Sequence, residues 1–229
     1  MITRIARTAG FSGLLAALLL TLLQSLWVSP LILKAETYED TQPAAHHDHE
    51  GQATAPHVHD DEAWTPADGW QRVLSTLASN LVVAVGFALI LAALYSLREP
   101  HRIATGALWG LSGFAVFCLA PMLGLPPELP GTAAAELGQR QAWWIGTAGA
   151  TAVGLALLVF ARAGWVKLLG AALLIVPHVL GAPQPEVHQS LAPPALESQF
   201  ILASGLTNAA FWLALGTLST WLYRRIGQA

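Results

Sequence analysis

The run His46-His47-Asp48-His49-Glu50 is followed closely by His57-Val58-His59-Asp60-Asp61-Glu62. Five of the chain's eight histidines therefore fall within fourteen positions, interleaved with carboxylates. Imidazole nitrogen combined with carboxylate oxygen suits divalent first-row metals such as Co²⁺, Ni²⁺ and Zn²⁺. The candidate ligands are His46, His47, His49, His57 and His59, with Asp48 and Asp60. Their surroundings are Ala, Thr, Pro, Gly, Asp and Glu, a composition that cannot pack a core of its own. A segment of this kind wraps an ion without a preformed cage and binds it with moderate affinity. Because ligating imidazoles must be neutral, protonation near pH 6 weakens binding. The spacing is not that of a rigid tetrahedral zinc site. The plainer alternative is a polar linker that coats the surface with charge. Metal identity is not encoded in these residues, since intrinsic affinity favours copper and selectivity must come from geometry and availability.

The segment sits in a chain of 229 residues that is 54% hydrophobic and only 11% charged. Globular domains carry about 25% charged residues, so an all-α integral membrane protein is expected. A spanning helix needs about 20 mostly apolar residues. Candidate spans cover 10–33, 74–97, 103–124, 143–161, 165–181 and 199–222, a single polytopic domain with 34–72 as one hydrophilic loop. The stretch from Phe11 to Leu33 is long for a signal peptide, so a retained first helix is expected; cleavage would leave five spans. With the N-terminus cytoplasmic, Arg4, Arg7, Arg98, Arg102, Arg162, Lys167, Arg224 and Arg225 fall inside. Only Lys34, Arg72 and Arg140 fall outside, as the positive-inside rule requires. This topology places both termini in the cytoplasm and the histidine loop outside. Trp27, Trp70, Trp143, Trp144, Trp165, Trp221 and Tyr223 lie near span ends, where amphipathic rings anchor.

Composition also excludes chemistry. One cysteine, Cys118, rules out an internal disulfide and a Cys-cluster zinc site. No Gly-rich phosphate loop with Lys-Ser/Thr occurs, so ATP hydrolysis by this chain is not expected. No enzyme site, prosthetic group or nucleic-acid partner is expected. The small net charge of −3 says little about partners.

Short inner turns suggest six helices arranged as three hairpins, one-two, three-four and five-six. Each hairpin places a proline near the outer end of its first helix: Pro30, Pro121 and Pro177. Proline leaves the carbonyl four residues earlier without its helical partner, here Leu26, Phe117 and Leu173. Such carbonyls offer oxygen ligands to a cation if they face a wet cavity; alternatively the prolines only end helices near the interface. Small polar residues recur in the outer half of each hairpin's second helix, among them Asn80 in the second and Ser204 and Asn208 in the sixth. The pattern reads as a parallel repeat, and transporters place binding sites where repeats meet.

His178, directly after Pro177, is an ionisable residue within a span and so a functional candidate. Met122 is its counterpart in the third helix. His178 and Asn208 join the candidate metal ligands, with Asn80 at comparable depth. Against this, His178 at the headgroup level would merely hydrogen-bond, and intramembrane Asn often only joins helices. His188 in the Pro-rich outer loop is a possible weak ligand. Asp, Glu, Lys and Arg are absent from the depths of the spans, which argues against a buried carboxylate proton relay.

The run from Leu129-Pro130-Gly131-Thr132 to Gln141-Ala142-Trp143-Trp144-Ile145-Gly146-Thr147 has a familiar form. With it go Val176-Pro177-His178-Val179-Leu180-Gly181-Ala182-Pro183 and the close Gln199-Phe200-Ile201-Leu202-Ala203-Ser204, with Asn208 and Phe211-Trp212. In these the chain resembles the CbtA family of probable cobalt transporter subunits, over essentially its whole length. The resemblance implies inner-membrane import of cobalt for cobalamin supply, beside a second subunit that is small, single-span and histidine-bearing. It supplies no agreed transport residue.

Overall fold

The computed structural model describes residues 1–40 and 66–228. The loop positions His46, His47, Asp48, His49, His57, His59 and Asp60 lie outside the described residues. Six helical runs account for the membrane-like part. The first, α1, joins Ile2–Leu23 and Ser29–Asp40 through a π turn at Gln24–Val28. Helix α2 is Trp70–Leu97, and α3 runs through Ile103–Phe114, a π turn at Ala115–Leu119 and Ala120–Met122. Then follow α4 (Leu137–Phe160), α5 (Gly164–Leu180) and α6 (Pro194–Ile226). All but α5 are long and apolar enough to cross a membrane. At 17 residues, α5 reaches about 25 Å, just short of a hydrocarbon core of about 30 Å.

The two π turns have a common cause. Each ends two residues before a proline, Pro30 in α1 and Pro121 in α3. The Ser29 N–H donates to the Gln24 carbonyl and the Ala120 N–H to the Ala115 carbonyl, each five residues back. A widened turn gives the proline ring room where it would strike the preceding carbonyl. Pro177 lies inside the regular helix of α5, without such a turn. The first and third helices thus share a π turn at the same offset from proline, and the fifth, expected to repeat the same pattern, does not.

Packing is set by where backbones can approach. Helices α1 and α2 lie closely together, as expected for the first hairpin. Helix α3 instead packs hardest on α6, which also packs on α1. At that crossing Gly110 and Gly216 meet without side chains; a Cβ on Gly110 would fall 2.2 Å from the Trp212 carbonyl oxygen. Helix α5 packs on α4, with Gly154 against Gly170. The three-residue turn 161–163 folds α5 straight back onto α4, so it pairs there rather than with α6. The bundle is therefore a core of α1, α2, α3 and α6, with the α4–α5 pair attached at the Ala115–Met122 end of α3. The short turn 161–163 sets the α4–α5 pairing, whereas the short link 98–102 between α2 and α3 does not bring those two backbones together; small-residue crossings decide the close contacts.

Candidate metal-handling site

Two ends of the bundle carry different chemistry. At one end Arg4 donates to Glu99 at 2.6 Å and through Nε to the Tyr223 carbonyl at 2.8 Å. Its guanidinium also lies 3.7 Å from the centroid of the Tyr223 ring. The N-terminus, the α2–α3 turn and the end of α6 are thereby clamped together. Arg98 stacks over Phe160 at 4.6 Å, drawing the end of α4 to the same side. Fully buried Tyr95 meets Tyr223 edge-on, and its hydroxyl donates to the Gly216 carbonyl at 3.3 Å.

Between the ends, rings fill the middle of the bundle. Phe117 stacks on Trp212 at 5.6 Å with an interplanar angle of 2°, and Phe87 leans on both. Cys118 contacts Trp212 and is half-buried among these residues, which fits its expected packing role.

The opposite end is a folded cap. The segments after α3 and α5 are joined by an antiparallel bridge between Thr132 and Ser190. The Ala133 N–H donates to the Gln189 carbonyl at 2.8 Å, and the Leu191 N–H to the Gly131 carbonyl at 3.2 Å. Gly131 makes the turn at φ 74°, a backbone region that suits glycine. The C-terminal end of α1 is seated on this cap by a buried cluster of Val28, Ala35, Leu129, Ala192, Leu196 and Phe200. Nearby, Arg72 at the start of α2 bonds Glu36 at the end of α1, and also Asp68 at 2.9 Å. These three residues bring together the two ends of the hydrophilic loop. Sequence reading placed Arg72 outside but did not pair it.

The candidates within the helices are distributed over the half of the bundle nearer the cap. His178 is half-buried on the last turn of α5, its ring edge-on to Trp143 at 6.2 Å. Trp143 in turn leans on Gly124, where a Cβ would meet the indole at 2.3 Å. Its Nε1 is buried and has no hydrogen-bond partner among the described residues. Asn208 bonds within its own helix, donating to the Ser204 carbonyl at 2.9 Å. Asn80 joins two helices instead, donating to Thr21 Oγ1 at 3.0 Å and to Gln24 Oε1 at 2.7 Å. Gln24 is the first residue of the α1 π turn. Thr21 and Gln24 were missed by sequence reading, although two polar side chains three apart in an apolar helix were the available signal. No hydrogen bond or ring contact joins His178 to Asn208 among the described residues. Nor do three or more His, Cys, Asp or Glu side chains come together there as a metal cage.

Outside the spans, Glu136 caps α4. Its carboxylate accepts from the Gly138 and Gln139 N–H groups, each at 2.8 Å, and these bonds hold its pKa below the ordinary value. Glu128 and Arg140 pair at 2.8 Å across the same loop.

Long apolar helices, small-residue crossings, charge gathered at the ends and polar side chains within the spans define a multi-pass α-helical membrane protein. Residues 2–224 match the family described as "Probable cobalt transporter subunit (CbtA)". The chain belongs to that family. Comparison with curated proteins and with solved structures finds no match.

Proposed function

We propose that this chain imports Co²⁺ across a bacterial inner membrane, with the histidine segment on the outer face and both termini in the cytoplasm. The observation that carries this reading is the match to cobalt transporter subunits over residues 2–224. The eight-to-three division of basic residues supports the orientation. His46, His47, His49, His57 and His59, with Asp48 and Asp60, concentrate the ion. His178 and Asn208, in the outer half of the bundle, pass it inward. Ni²⁺ and Zn²⁺ are the next cargoes by ligand chemistry. The partner is a small, single-span, histidine-bearing membrane protein, in keeping with the word "subunit" in the family description. Membrane potential supplies the drive, since two positive charges moving inward gain about 4.6 kcal/mol per 100 mV.

One observation favours a second reading, a membrane metal sensor that binds without transporting. The centre of the bundle is filled by Phe87, Phe117 and Trp212, which must part before an ion passes. Radiocobalt uptake into proteoliposomes, with and without the small partner, separates the two. Accumulation in the lumen supports transport; surface binding without accumulation in either preparation supports the sensor.

A further inference from the structure

Asn80 of α2 donates through Nδ2 to Thr21 Oγ1 and to Gln24 Oε1, so its amide nitrogen sits between two oxygens supplied by α1. Both bonds use the nitrogen, which leaves Oδ1 outside them. Thr21 is buried, and Gln24 and Asn80 are half-buried. Gln24 opens the π turn, a widened geometry that recurs at functional sites. That turn packs directly on α6. The antiparallel register of α1 and α6 is set by Ser12 against Ser219 at 3.0 Å and by Val28 in one cluster with Phe200. It puts Thr207 level with Thr21 and Gln24. Thr207 lies two turns along from Phe200, hence on the face that meets α1. It is fully buried, yet its Oγ1 has no hydrogen-bond partner among the described residues. A buried hydroxyl without a partner calls for a water or a ligand. Phe87 on α2 and Trp212 on α6 follow Asn80 and Thr207 toward the Arg4 end, and there the ring cluster begins.

We propose that Thr21, Gln24, Asn80 and Thr207 form a transit site, where a divalent first-row metal ion stops on neutral oxygen ligands between the cap and the ring cluster. The inference deepens the transport reading and rests on it for its cargo. In the resting protein the Asn80 amide nitrogen stands where the cation would. Turned over, the amide presents Oδ1 instead, a change of atoms without a change of shape. Two hydroxyls and two amide oxygens from three helices then face the ion, which keeps water at its remaining positions. Ligands of this kind suit ions that accept oxygen coordination. With no carboxylate among them they bind weakly, and a stop along a path must release what it holds.

Thr207→Val is the central test, because it keeps the side chain's shape and removes a hydroxyl that makes no bond. In full-length protein reconstituted in proteoliposomes, it is expected to lower radiocobalt uptake severalfold while the melting temperature stays at or above that of the parent. A second arm reads binding alone, in nanodiscs, with His46, His47, His49, His57 and His59 replaced by Ala and Mn²⁺ titrated by electron paramagnetic resonance. Asn80→Asp and Gln24→Glu each tighten Mn²⁺ binding by at least about tenfold, the scale of one charge about 4 Å from a dication even in water. The two variants are isosteric and lie on different helices, so the failure of one to fold leaves the other. Combined, they hold one ion more tightly than either alone, and adding Thr207→Val weakens it severalfold. Unchanged uptake or a lowered melting temperature in Thr207→Val, no gain of affinity from either carboxylate, or two independent ions in the double variant would each overturn the proposal. Its failure is separable from failure of the transport reading. Parent uptake that is indifferent to Thr207→Val sinks only the site. A converging, Thr207-dependent Mn²⁺ site in a protein that accumulates no cobalt sinks only transport.

Discussion

Replacing Gly110 by Ala tests how closely α3 and α6 must approach. The new methyl would stand 2.2 Å from the Trp212 carbonyl oxygen and 3.1 Å from its carbon. Ordinary heavy-atom contacts lie near about 3.5 Å, so the two backbones must part by about 1 Å at the crossing. A gap of that size forfeits about a quarter to a half of each affected dispersion contact. Overpacking of this kind costs about 1–3 kcal/mol. Alanine recovers up to about 1 kcal/mol through its better helix propensity. The expected net loss is about 1–2 kcal/mol, read as a lower unfolding midpoint in detergent micelles by tryptophan fluorescence. Gly86→Ala is the matched control, because a Cβ there meets nothing within 4 Å. It is expected to be neutral or stabilising by up to about 1 kcal/mol. Gly216→Ala repeats the clash from the opposite helix, 2.3 Å from the Gly106 carbonyl oxygen. The double variant falls short of additivity, since helices already parted accept the second methyl more cheaply. A Gly110→Ala protein as stable as the parent, beside a destabilised Gly86→Ala protein, would refute the packing argument.

Asn80→Ala removes both bonds to α1 and is expected to cost about 0.5–1.5 kcal/mol, measured by the same unfolding assay. For Glu136 the folded pKa is lowered by its two backbone bonds. Its contribution is thus full above the unfolded carboxyl value of about 4.3 and is lost as pH falls through the lower folded value. The melting-temperature gap between parent and Glu136→Ala is therefore expected to be full at pH 7 and to close in stronger acid; a gap that widens there contradicts the assignment. His178→Ala is expected to lower the initial rate of radiocobalt uptake at least severalfold while leaving the melting temperature within about 2 °C, and an unchanged rate removes His178 from the path.

Hydropathy revealed the helices because lipid solvation acts on each residue by its own chemistry. Run lengths and arginine positions therefore located all six, short α5 included. Pairing was less legible. Nothing in a one-dimensional pattern says that Gly110 faces Gly216 rather than a residue of α4, because a glycine marks a possible approach without naming its partner. Prolines were visible as disturbances at Pro30, Pro121 and Pro177, yet only two of them produced a widened turn. The difference lies in how each helix accommodates the ring, which depends on three-dimensional surroundings. Among the candidate ligands, His178 and Asn208 can be assigned to a helix and a turn from sequence. Their neighbours, Trp143 and Ser204, follow only from side-chain direction. The cap was least legible of all: its bridge joins Thr132 to Ser190 across 58 positions of intervening chain.

The bond pattern of Arg72 has a consequence for how such a protein can change over time. With Glu36 and Asp68 held by one guanidinium, the chain departs from and returns to a single anchorage. The entropy of closing a longer excursion grows only logarithmically, by about 0.6 kcal/mol for each doubling. Insertions between the anchored points therefore leave the helices undisturbed. The bundle acts as a fixed socket, and a change in the length of chain between Glu36 and Asp68 is not transmitted to the helices.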